Sequence, residues 1–208
     1  MKILLSYLLS IFTALYAGGM FDTQAGNYEK AINGDSKLAD SFCLFYVVFN
    51  NGNIMLKDRS YIPVTSTIIY NLCKIGAEGG FPRSQNEFGN ILLNEKVPSL
   101  KKEAEKYFLL SSKQGNTDAK YNLAQLYSFD KDIKRDYYKA VGYYKEIVDL
   151  NKSSVQCSFA ILYAEGKGTL RDYKKAKSLV QRGYENARYE LEKNFCSSVW
   201  STYSLDSK

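Results

Sequence analysis

The stretch LAQLYSFDKDIKRDYYKA (123–140) returns 36 residues later as FAILYAEGKGTLRDYKKA (159–176). Both copies keep Ala, then Leu-Tyr, then Arg-Asp-Tyr and finally Lys-Ala at one constant offset. A fixed offset of this length indicates an internal structural repeat. A non-repetitive helical bundle is the alternative interpretation.

Within each copy the spacing of apolar residues predicts two helices. Apolar or small residues recur every three or four positions in 118–127 and again in 136–148, which gives each helix one apolar face. Asp136 and its repeat Asp172 stand where an N-cap belongs. In the later copy a GKG turn (166–168) separates the helices, and glycine accepts the positive φ of a tight turn. Each copy is therefore a helical hairpin that must stack on neighbours to bury its apolar face.

These residues resemble the Sel-like repeat family, which is related to tetratricopeptide repeats. The best copy combines Phe159–Tyr163, Gly166–Gly168 and Asp172–Ala176. The preceding copy departs at the turn, where Asp130 and Asp132 replace the glycines, and we expect aspartate to tolerate the same backbone conformation less well. The resemblance implies an all-α fold, an α-solenoid of about four stacked antiparallel helix pairs.

The repeat pattern also suggests a domain organisation. Degenerate copies of the motif extend upstream, so the repeat domain is expected to cover residues 20–208. The clearest repeats and a C-terminal capping helix are predicted at 84–117, 118–153, 154–187 and 188–208.

The first 19 residues are expected to be a signal peptide. Lys2 precedes the uncharged run ILLSYLLSIFTALYA (3–17), and small residues follow it. The run is short for a membrane span of about twenty residues. We therefore expect a periplasmic or secreted protein. The alternative is an uncleaved anchor, which would make this a membrane-held structural protein.

Four cysteines in an exported chain permit disulfides, with three possible connectivities. On the repeat map that the resemblance implies, Cys43 and Cys73 face the seam of one hairpin, whereas Cys157 and Cys196 lie on successive first helices. Cys43–Cys73 with Cys157–Cys196 is the pairing we prefer, although the chain lacks the regular cysteine spacing of the cysteine-rich branch of the family. Buried free thiols are the alternative.

The composition bears on chemistry chiefly through the absence of histidine. This excludes Ser-His-Asp and Cys-His catalysis and any zinc site that needs imidazole. We expect no enzyme activity, no metal and no cofactor. The remaining enzymatic alternative is action on cell-wall material through paired carboxylates. The net charge of +6 does not by itself indicate nucleic acid, and none is expected as a partner.

A concave face lined by first helices is the first candidate binding surface, since stacked hairpins curve and related tetratricopeptide domains bind peptides there. Its side chains, placed by the resemblance, are mostly neutral polar groups that can hydrogen-bond an extended backbone. An ordinary solvated face is the alternative. The residues are Lys37, Asp40, Asn86, Asn90, Tyr121 and Gln125.

A repeated basic set is the second candidate. Side-by-side equivalents would form a ridge near the starts of the second helices, suited to an anionic partner. A solvated face that aids solubility is the favoured alternative. The residues are Lys131, Arg135, Lys139, Lys167, Arg171 and Lys175.

The function these features favour is an exported, monomeric adaptor or regulator that binds another protein. An immunity protein that neutralises a secreted toxin is a narrower alternative, and a cell-wall-acting enzyme is a further one. Tyrosines at helical spacing (Tyr127, Tyr143, Tyr144 and Tyr163) are expected to form core rather than a ligand site.

Overall fold

A computed structural model describes residues 20–49, 53–55, 61–95 and 97–205. The expected signal peptide lies outside them. The fold is all-α and has the architecture of a helical solenoid, as predicted. The chain divides into two compact units, with the boundary between Ile91 and Leu92.

The first unit contains four helices among its described residues, together with a small hairpin that the sequence did not reveal. Strands β1 and β2 pair antiparallel, with Ile54 opposite Ile62, in the connection between the helices that end at Phe49 and begin at Ser66. The elements in chain order are α1 (Met20–Ile32), α2 (Ser36–Phe49), β1 (Asn53–Met55), β2 (Tyr61–Pro63), α3 (Ser66–Glu78) and α4 (Pro82–Asn94), whose last residues belong to the second unit.

Helices α2 and α3 form the centre of the first unit. The Cys43–Cys73 disulfide joins them with a Cα–Cα distance of 4.8 Å, which confirms the preferred pairing. The hydroxyl of Ser84 in α4 donates a hydrogen bond of 2.7 Å to the carboxylate of Asp40 in α2. Close approach of α3 depends on Gly76, because a Cβ there would lie 2.8 Å from that of Ser84.

The second unit consists of antiparallel helix pairs that pack in sequence order. Helices α6 and α7 form one hairpin and α8 and α9 the next, while α5 packs on α6 and α10 packs on both α8 and α9. The helices are α5 (Pro98–Lys113), α6 (Thr117–Phe129), α7 (Tyr137–Ile147), α8 (Ser153–Glu165), α9 (Tyr173–Asn186) and α10 (Glu190–Thr202).

The second helices begin where the sequence placed their caps. The carboxylate of Asp136 accepts a hydrogen bond of 3.1 Å from the backbone N–H of Lys139. Asp172 does the same for Lys175 at 2.9 Å. Each bond satisfies a backbone donor that the first helical turn leaves without an intrahelical acceptor.

Aromatic residues fill the interior of the second unit, as the tyrosine spacing predicted. Tyr144 is fully buried and stacks on Phe159, with ring centroids 5.4 Å apart. Tyr127 and Tyr163 are also buried, and Tyr127 stacks on the half-buried Tyr143. Such pairs contribute about 0.5–1.5 kcal/mol beyond the area they bury.

The two interhelical turns, at residues 130–132 and 166–168, have different backbone conformations. Gly166 and Gly168 both have φ of +69°, the left-handed conformation that favours glycine. Aspartate, which we expect to tolerate this conformation less well, does not adopt it in the preceding copy, because Asp130 has φ −70° and ψ 138°. Its carboxylate instead accepts hydrogen bonds from the backbone N–H groups of Asp132 and Ile133, at 2.8 and 3.1 Å.

A lysine from α5 completes the aspartate turn. The Nζ atom of Lys101 lies 2.8 Å from a carboxylate oxygen of Asp130 and 2.7 Å from one of Asp132. Burial alone would raise the pKa of Asp130, but the hydrogen bonds from Lys101 and from the backbone of Asp132 and Ile133 outweigh it and lower that pKa. Side-chain hydrogen bonds and an ion pair thus replace the two glycines.

The C-terminal helix α10 is fixed to the unit by the Cys157–Cys196 disulfide, with a Cα–Cα distance of 5.4 Å. This confirms the second preferred pairing. Both cysteines are fully buried, and Gly183 of α9 lies against them. A Cβ at Gly183 would overlap the sulfur of Cys157 and lie 3.1 Å from that of Cys196.

None of the helices in the described ranges combines the length and apolarity needed to cross a bilayer.

Candidate partner-binding surface

First helices α6, α8 and α10 of the second unit border an open groove, which we call the first-helix groove. The amide of Gln125 in α6 donates a hydrogen bond of 2.9 Å to the hydroxyl of Ser158 in α8, and the Cys157–Cys196 disulfide joins α8 to α10. The recess has a volume of about 550 Å³. Its walls are Tyr121, Gln125, Phe129, Ser154, Ser158, Ile161, Leu191, Glu192 and Phe195.

The lining is mostly apolar, and part of it is strongly exposed. Leu191 is 81% exposed, Phe129 39% and Phe195 36%. Glu192 carries the charge in this lining, but its carboxylate accepts hydrogen bonds from the backbone N–H groups of Arg188 and Tyr189, at 2.7 and 3.4 Å. That carboxylate therefore caps α10 and is the charged group in an otherwise neutral, mostly apolar lining.

Two of the residues predicted for a concave binding face line this groove. Tyr121 and Gln125 are half-buried, and the amide of Gln125 is already bonded to Ser158. They keep their predicted place on a first-helix surface, and their role in binding stays a prediction.

The four residues predicted for this face in the first unit differ in accessibility. Lys37 is exposed, whereas the carboxylate of Asp40 is held by Ser84. Asn86 is only 3% exposed and its amide donates to the carboxylate of Glu87 at 3.0 Å, so the expectation that it points to solvent is wrong. The half-buried Asn90 donates to the same carboxylate at 3.3 Å.

In the basic set, Lys139 and Lys175 have equivalent structural contacts. Lys139 forms an ion pair of 3.3 Å with Asp136 and lies 5.2 Å from the ring centroid of Tyr127. Lys175 repeats this with Asp172 at 3.5 Å and with the ring of Tyr163 at 5.4 Å. Each lysine therefore links the start of a second helix to the tyrosine of its first helix by charge and by a cation–π contact.

Backbone hydrogen bonds strengthen these links. The N–H of Asp136 donates to the carbonyl of Tyr127 at 3.0 Å, and that of Asp172 to the carbonyl of Tyr163 at 2.9 Å. The backbone N–H of Lys139 lowers the pKa of Asp136, and that of Lys175 lowers the pKa of Asp172.

The remaining members of the basic set are engaged to different degrees. Lys167 pairs with Glu165 at 2.7 Å and lies 5.4 Å from the ring centroid of Tyr137. Arg171 donates to the backbone carbonyl of Glu165 and Arg135 to the hydroxyl of Tyr137, both at 3.4 Å. Lys131 is exposed. Most of these cations hold turns together, which favours the structural interpretation of the repeated set.

The sequence did not predict Phe129, Leu191 or Phe195 as binding residues. The repeat alignment equates Phe195 with Phe159, which is 3% exposed, whereas Phe195 is 36% exposed. The sequence feature that could have identified two of them is the spacing of Leu191 and Phe195. These residues lie four positions apart in a helix whose other residues are largely polar.

Stacked helical hairpins with a groove along their first helices define a helical-repeat protein. A family model for the Sel1 repeat matches residues 82–116, 117–152 and 156–187. The chain is a Sel1-repeat protein, as its resemblance to Sel-like repeats indicated. Sel1 repeats are typically non-catalytic and generally mediate protein interactions.

Two solved structures illustrate the shared fold. A Sel1 repeat protein from Oxalobacter formigenes is 18% identical, with a TM-score of 0.59, and the alignment covers 78% of this chain and 63% of that one. The protective antigen c5321 of uropathogenic Escherichia coli, which displays an SLR fold, is 19% identical with a TM-score of 0.62. That alignment covers 85% of this chain but only 39% of the antigen. None of the curated proteins matches the sequence.

Proposed function

We propose that this protein is an exported adaptor or regulator that binds another protein through the first-helix groove of its second unit. The observation that carries the proposal is the exposure of Leu191, Phe129 and Phe195 along one continuous recess. Contiguous exposed apolar surface is costly in water and marks interaction sites on soluble proteins. The general association of Sel1 repeats with protein interactions agrees with this role.

Export is supported by the cysteines and by the first 19 residues. All four cysteines are paired, and disulfides persist in oxidising compartments such as the periplasm. The charge-free run after Lys2 has the composition of a signal peptide. These two features together support the proposal of a periplasmic or secreted location.

A binding role suits the chemistry of the second unit better than catalysis does. Asp130 and Asp132 are neighbouring carboxylates of one interhelical turn. Both pair with Lys101, and that of Asp130 also accepts hydrogen bonds from backbone N–H groups. The carboxylates of Asp136 and Asp172 cap helices. These groups are engaged in holding the fold, whereas glycoside hydrolysis needs two carboxyls that flank a substrate.

Site-specific photo-crosslinking in the native compartment tests the proposal. A photoreactive amino acid at Gln125, in the groove, should capture a discrete protein adduct. The same residue at Lys145, exposed on the second helix α7, is the matched control and should not. Equal crosslinking from both positions, or none from Gln125, would count against the groove as the binding surface.

A further inference from the structure

The turns that precede α7 and α9 form one edge of the second unit. The Nζ atom of Lys167 lies 5.4 Å from the ring centroid of Tyr137, and a Cβ at Gly168 would overlap the backbone carbonyl of Tyr137. The two turns are therefore in direct contact, because Tyr137 begins α7 and Gly168 belongs to the turn before α9. We call this continuous surface, residues 130–139 and 165–175, the turn edge.

Two large hydrophobic side chains project from the turn edge. Leu170 is 88% exposed and Tyr138 82% exposed. Two residues before the capping aspartate, the first copy has Lys134 where the second has Leu170. Two residues after it, the first copy has Tyr138 where the second has Lys174. Each turn therefore presents one exposed hydrophobic side chain and one lysine at these two positions.

Cations outnumber carboxylates along the turn edge. Its two segments contain eight Lys and Arg residues and five Asp and Glu residues, and Lys101 from α5 adds a ninth cation. All five carboxylates have a lysine partner, so their charges are matched within the edge. These partners are Lys101, Lys139, Lys167 and Lys175. Nine cations against five carboxylates leave the edge with a net charge of +4.

Part of the surplus charge lies on lysines that hold no turn together. Lys131, Lys134 and Lys174 are exposed, and among the described residues none of the three is paired with a carboxylate. Lys134 and Lys174 also lie outside the repeated basic set, so the structural contacts of that set do not account for them. These lysines are available to an anionic partner.

The combination of lysines with protruding hydrophobic side chains fits the surface of an anionic bilayer. Each Lys or Arg near such a surface contributes about fivefold in affinity. Tyrosine is favoured at the membrane–water interface, and apolar side chains gain by entering it. An acidic protein would need a shaped pocket for Leu170 and another for Tyr138, whereas lipids rearrange around a protruding group. Since single exposed apolar residues are ordinary on protein surfaces, the position of these two beside unpaired lysines is what carries the argument.

We propose that the turn edge is a peripheral membrane-binding surface, with Lys131, Lys134 and Lys174 at anionic phospholipid headgroups and with Leu170 and Tyr138 inserted at the interface. Both kinds of contact are needed, because one weak membrane signal alone gives only marginal, reversible binding. The inference goes beyond the proposed function and does not depend on the first-helix groove, which other residues line.

Co-sedimentation of the full chain with vesicles tests the proposal. The anionic vesicles are an equimolar mixture of phosphatidylglycerol and phosphatidylcholine, and the neutral ones are phosphatidylcholine alone. Affinity should be at least about tenfold higher for the anionic vesicles. It should fall at least about tenfold between about 0.05 M and 0.5 M NaCl, because salt screens exposed charges.

A pair of charge variants locates the electrostatic contact. Lys134→Gln combined with Lys174→Gln should weaken binding to the anionic vesicles at least about tenfold. Lys113→Gln combined with Lys145→Gln is the matched control, since both lysines are exposed in the last turns of α5 and α7, away from the turns before α7 and α9. The control removes the same net charge and should change affinity less than about twofold.

A second pair of variants tests insertion. Leu170→Ser combined with Tyr138→Ser should weaken binding at least about fivefold without changing the net charge. Leu150→Ser, at an exposed position just beyond α7, is the control and should leave affinity unchanged. Circular dichroism and a free-thiol assay verify that each variant is folded and oxidised.

An environment-sensitive fluorescent amino acid reports which part of the chain meets the lipid. At position 170 its emission should shift to shorter wavelength when anionic vesicles are added, and at position 150 it should not. This contrast also separates the turn edge from any binding through the first 19 residues.

Equal affinity for the two kinds of vesicle, equal affinity of the Lys134/Lys174 variant and its control, full affinity of the Leu170/Tyr138 variant, or unchanged emission at position 170 would overturn the inference. Binding to soluble polyglutamate without binding to the anionic vesicles would overturn it in favour of an acidic protein partner. The crosslinking experiment at Gln125 is independent of each of these results.

Discussion

At the residue scale, Gly168 is a position where both the backbone conformation and the surrounding atoms exclude a side chain. Its φ is +69°, and a Cβ would overlap the backbone carbonyl of Tyr137 at the start of α7 and lie 2.9 Å from the Cβ of Tyr137. The left-handed conformation costs a non-glycine residue about 1–2 kcal/mol, and overpacking adds about 1–3 kcal/mol. We expect Gly168→Ala to reduce the free energy of unfolding by about 2–5 kcal/mol, measured by urea denaturation followed by circular dichroism.

The chain offers a control that separates this contact from the general effect of a methyl group. Gly142 is exposed on α7, and a Cβ there would meet no atom within 4 Å. Gly142→Ala should therefore stabilise the protein by up to about 1 kcal/mol, through helix propensity alone. If Gly168→Ala and Gly142→Ala shift the midpoint of urea denaturation by the same amount, the close contact between residue 168 and the backbone of Tyr137 is contradicted.

The aspartate turn makes a second residue-scale prediction. Lys101→Met leaves Asp130 and Asp132 without the cation that both carboxylates share, so the midpoint of denaturation should fall. Restoring the glycine form of the turn, with Asp130→Gly and Asp132→Gly in the same chain, should recover much of the loss because no carboxylates then remain to be neutralised. Failure of this rescue would show that Lys101 stabilises α5 in another way.

At the scale of elements, the Cys157–Cys196 disulfide ties the non-repeat helix α10 to α8, across 39 residues of chain. In the chain-entropy description, a cross-link over a loop of that length stabilises by about 3–4 kcal/mol. Replacing both cysteines by alanine should therefore destabilise α10 first. Faster hydrogen exchange in α10 and weaker binding in the first-helix groove would show that this helix is destabilised. Trp200, the sole tryptophan of the chain, lies on the same helix.

The other disulfide provides the matched control. Cys43→Ala with Cys73→Ala removes a cross-link over 30 residues in the first unit. Overall stability should fall by a similar amount, but hydrogen exchange in α10 and binding in the groove should stay as they are. Loss of groove binding in this variant would contradict a local role for the C-terminal disulfide.

Elements also show what sequence reasoning reached and where it stopped. The helices of the second unit could be predicted from the spacing of apolar residues, and their N-caps from Asp136 and Asp172, because both are local properties of the chain. The turn at Asp130 did not, since its geometry depends on Lys101 from another helix. Nor did the β1–β2 hairpin, whose strands are three residues long and too short to show an alternating pattern.

The same distinction between local sequence properties and packing between elements applies to the residues of the candidate site. Tyr121 and Gln125 were predicted on a first-helix surface because the repeat fixes their register. Burial of Asn86 depends on side chains packed around α4, and the exposure of Phe195 on the position of α10 after the last repeat. Pairwise packing between elements therefore decided which residues of the repeat pattern remain accessible to a partner.

At the scale of the whole molecule, the carboxylates that hold turns and helix starts predict how stability depends on pH. The pKa values of Asp136 and Asp172 are lowered by hydrogen bonds from their capped backbone N–H groups. Those of Asp130 and Glu165 are lowered as well, because hydrogen bonds from Lys101 and Lys167 outweigh the effect of burial. All four groups belong to the second unit.

The sign follows from linkage. Since each folded-state pKa lies below the unfolded-state value of about 4, the unfolded chain binds protons more readily at acid pH. Stability from these groups is fully present above about pH 5 and is lost as pH falls through the lowered values. Between about pH 5.5 and 7 the denaturation midpoint should be nearly constant, because the chain has no histidine to titrate there.

Urea denaturation at pH 7, 5.5, 4 and 3 measures this dependence. Asp136→Asn combined with Asp172→Asn is the informative variant, because asparagine still accepts the capping hydrogen bond but does not titrate. It should be somewhat less stable than the unaltered protein at pH 7 and should lose less stability between pH 5 and 3. A variant that loses stability as steeply as the unaltered protein over that interval would show that acid destabilises the protein through groups other than Asp136 and Asp172. Hydrogen exchange at pH 3 then locates the response, which we expect in the second helices α7 and α9, where the two caps lie.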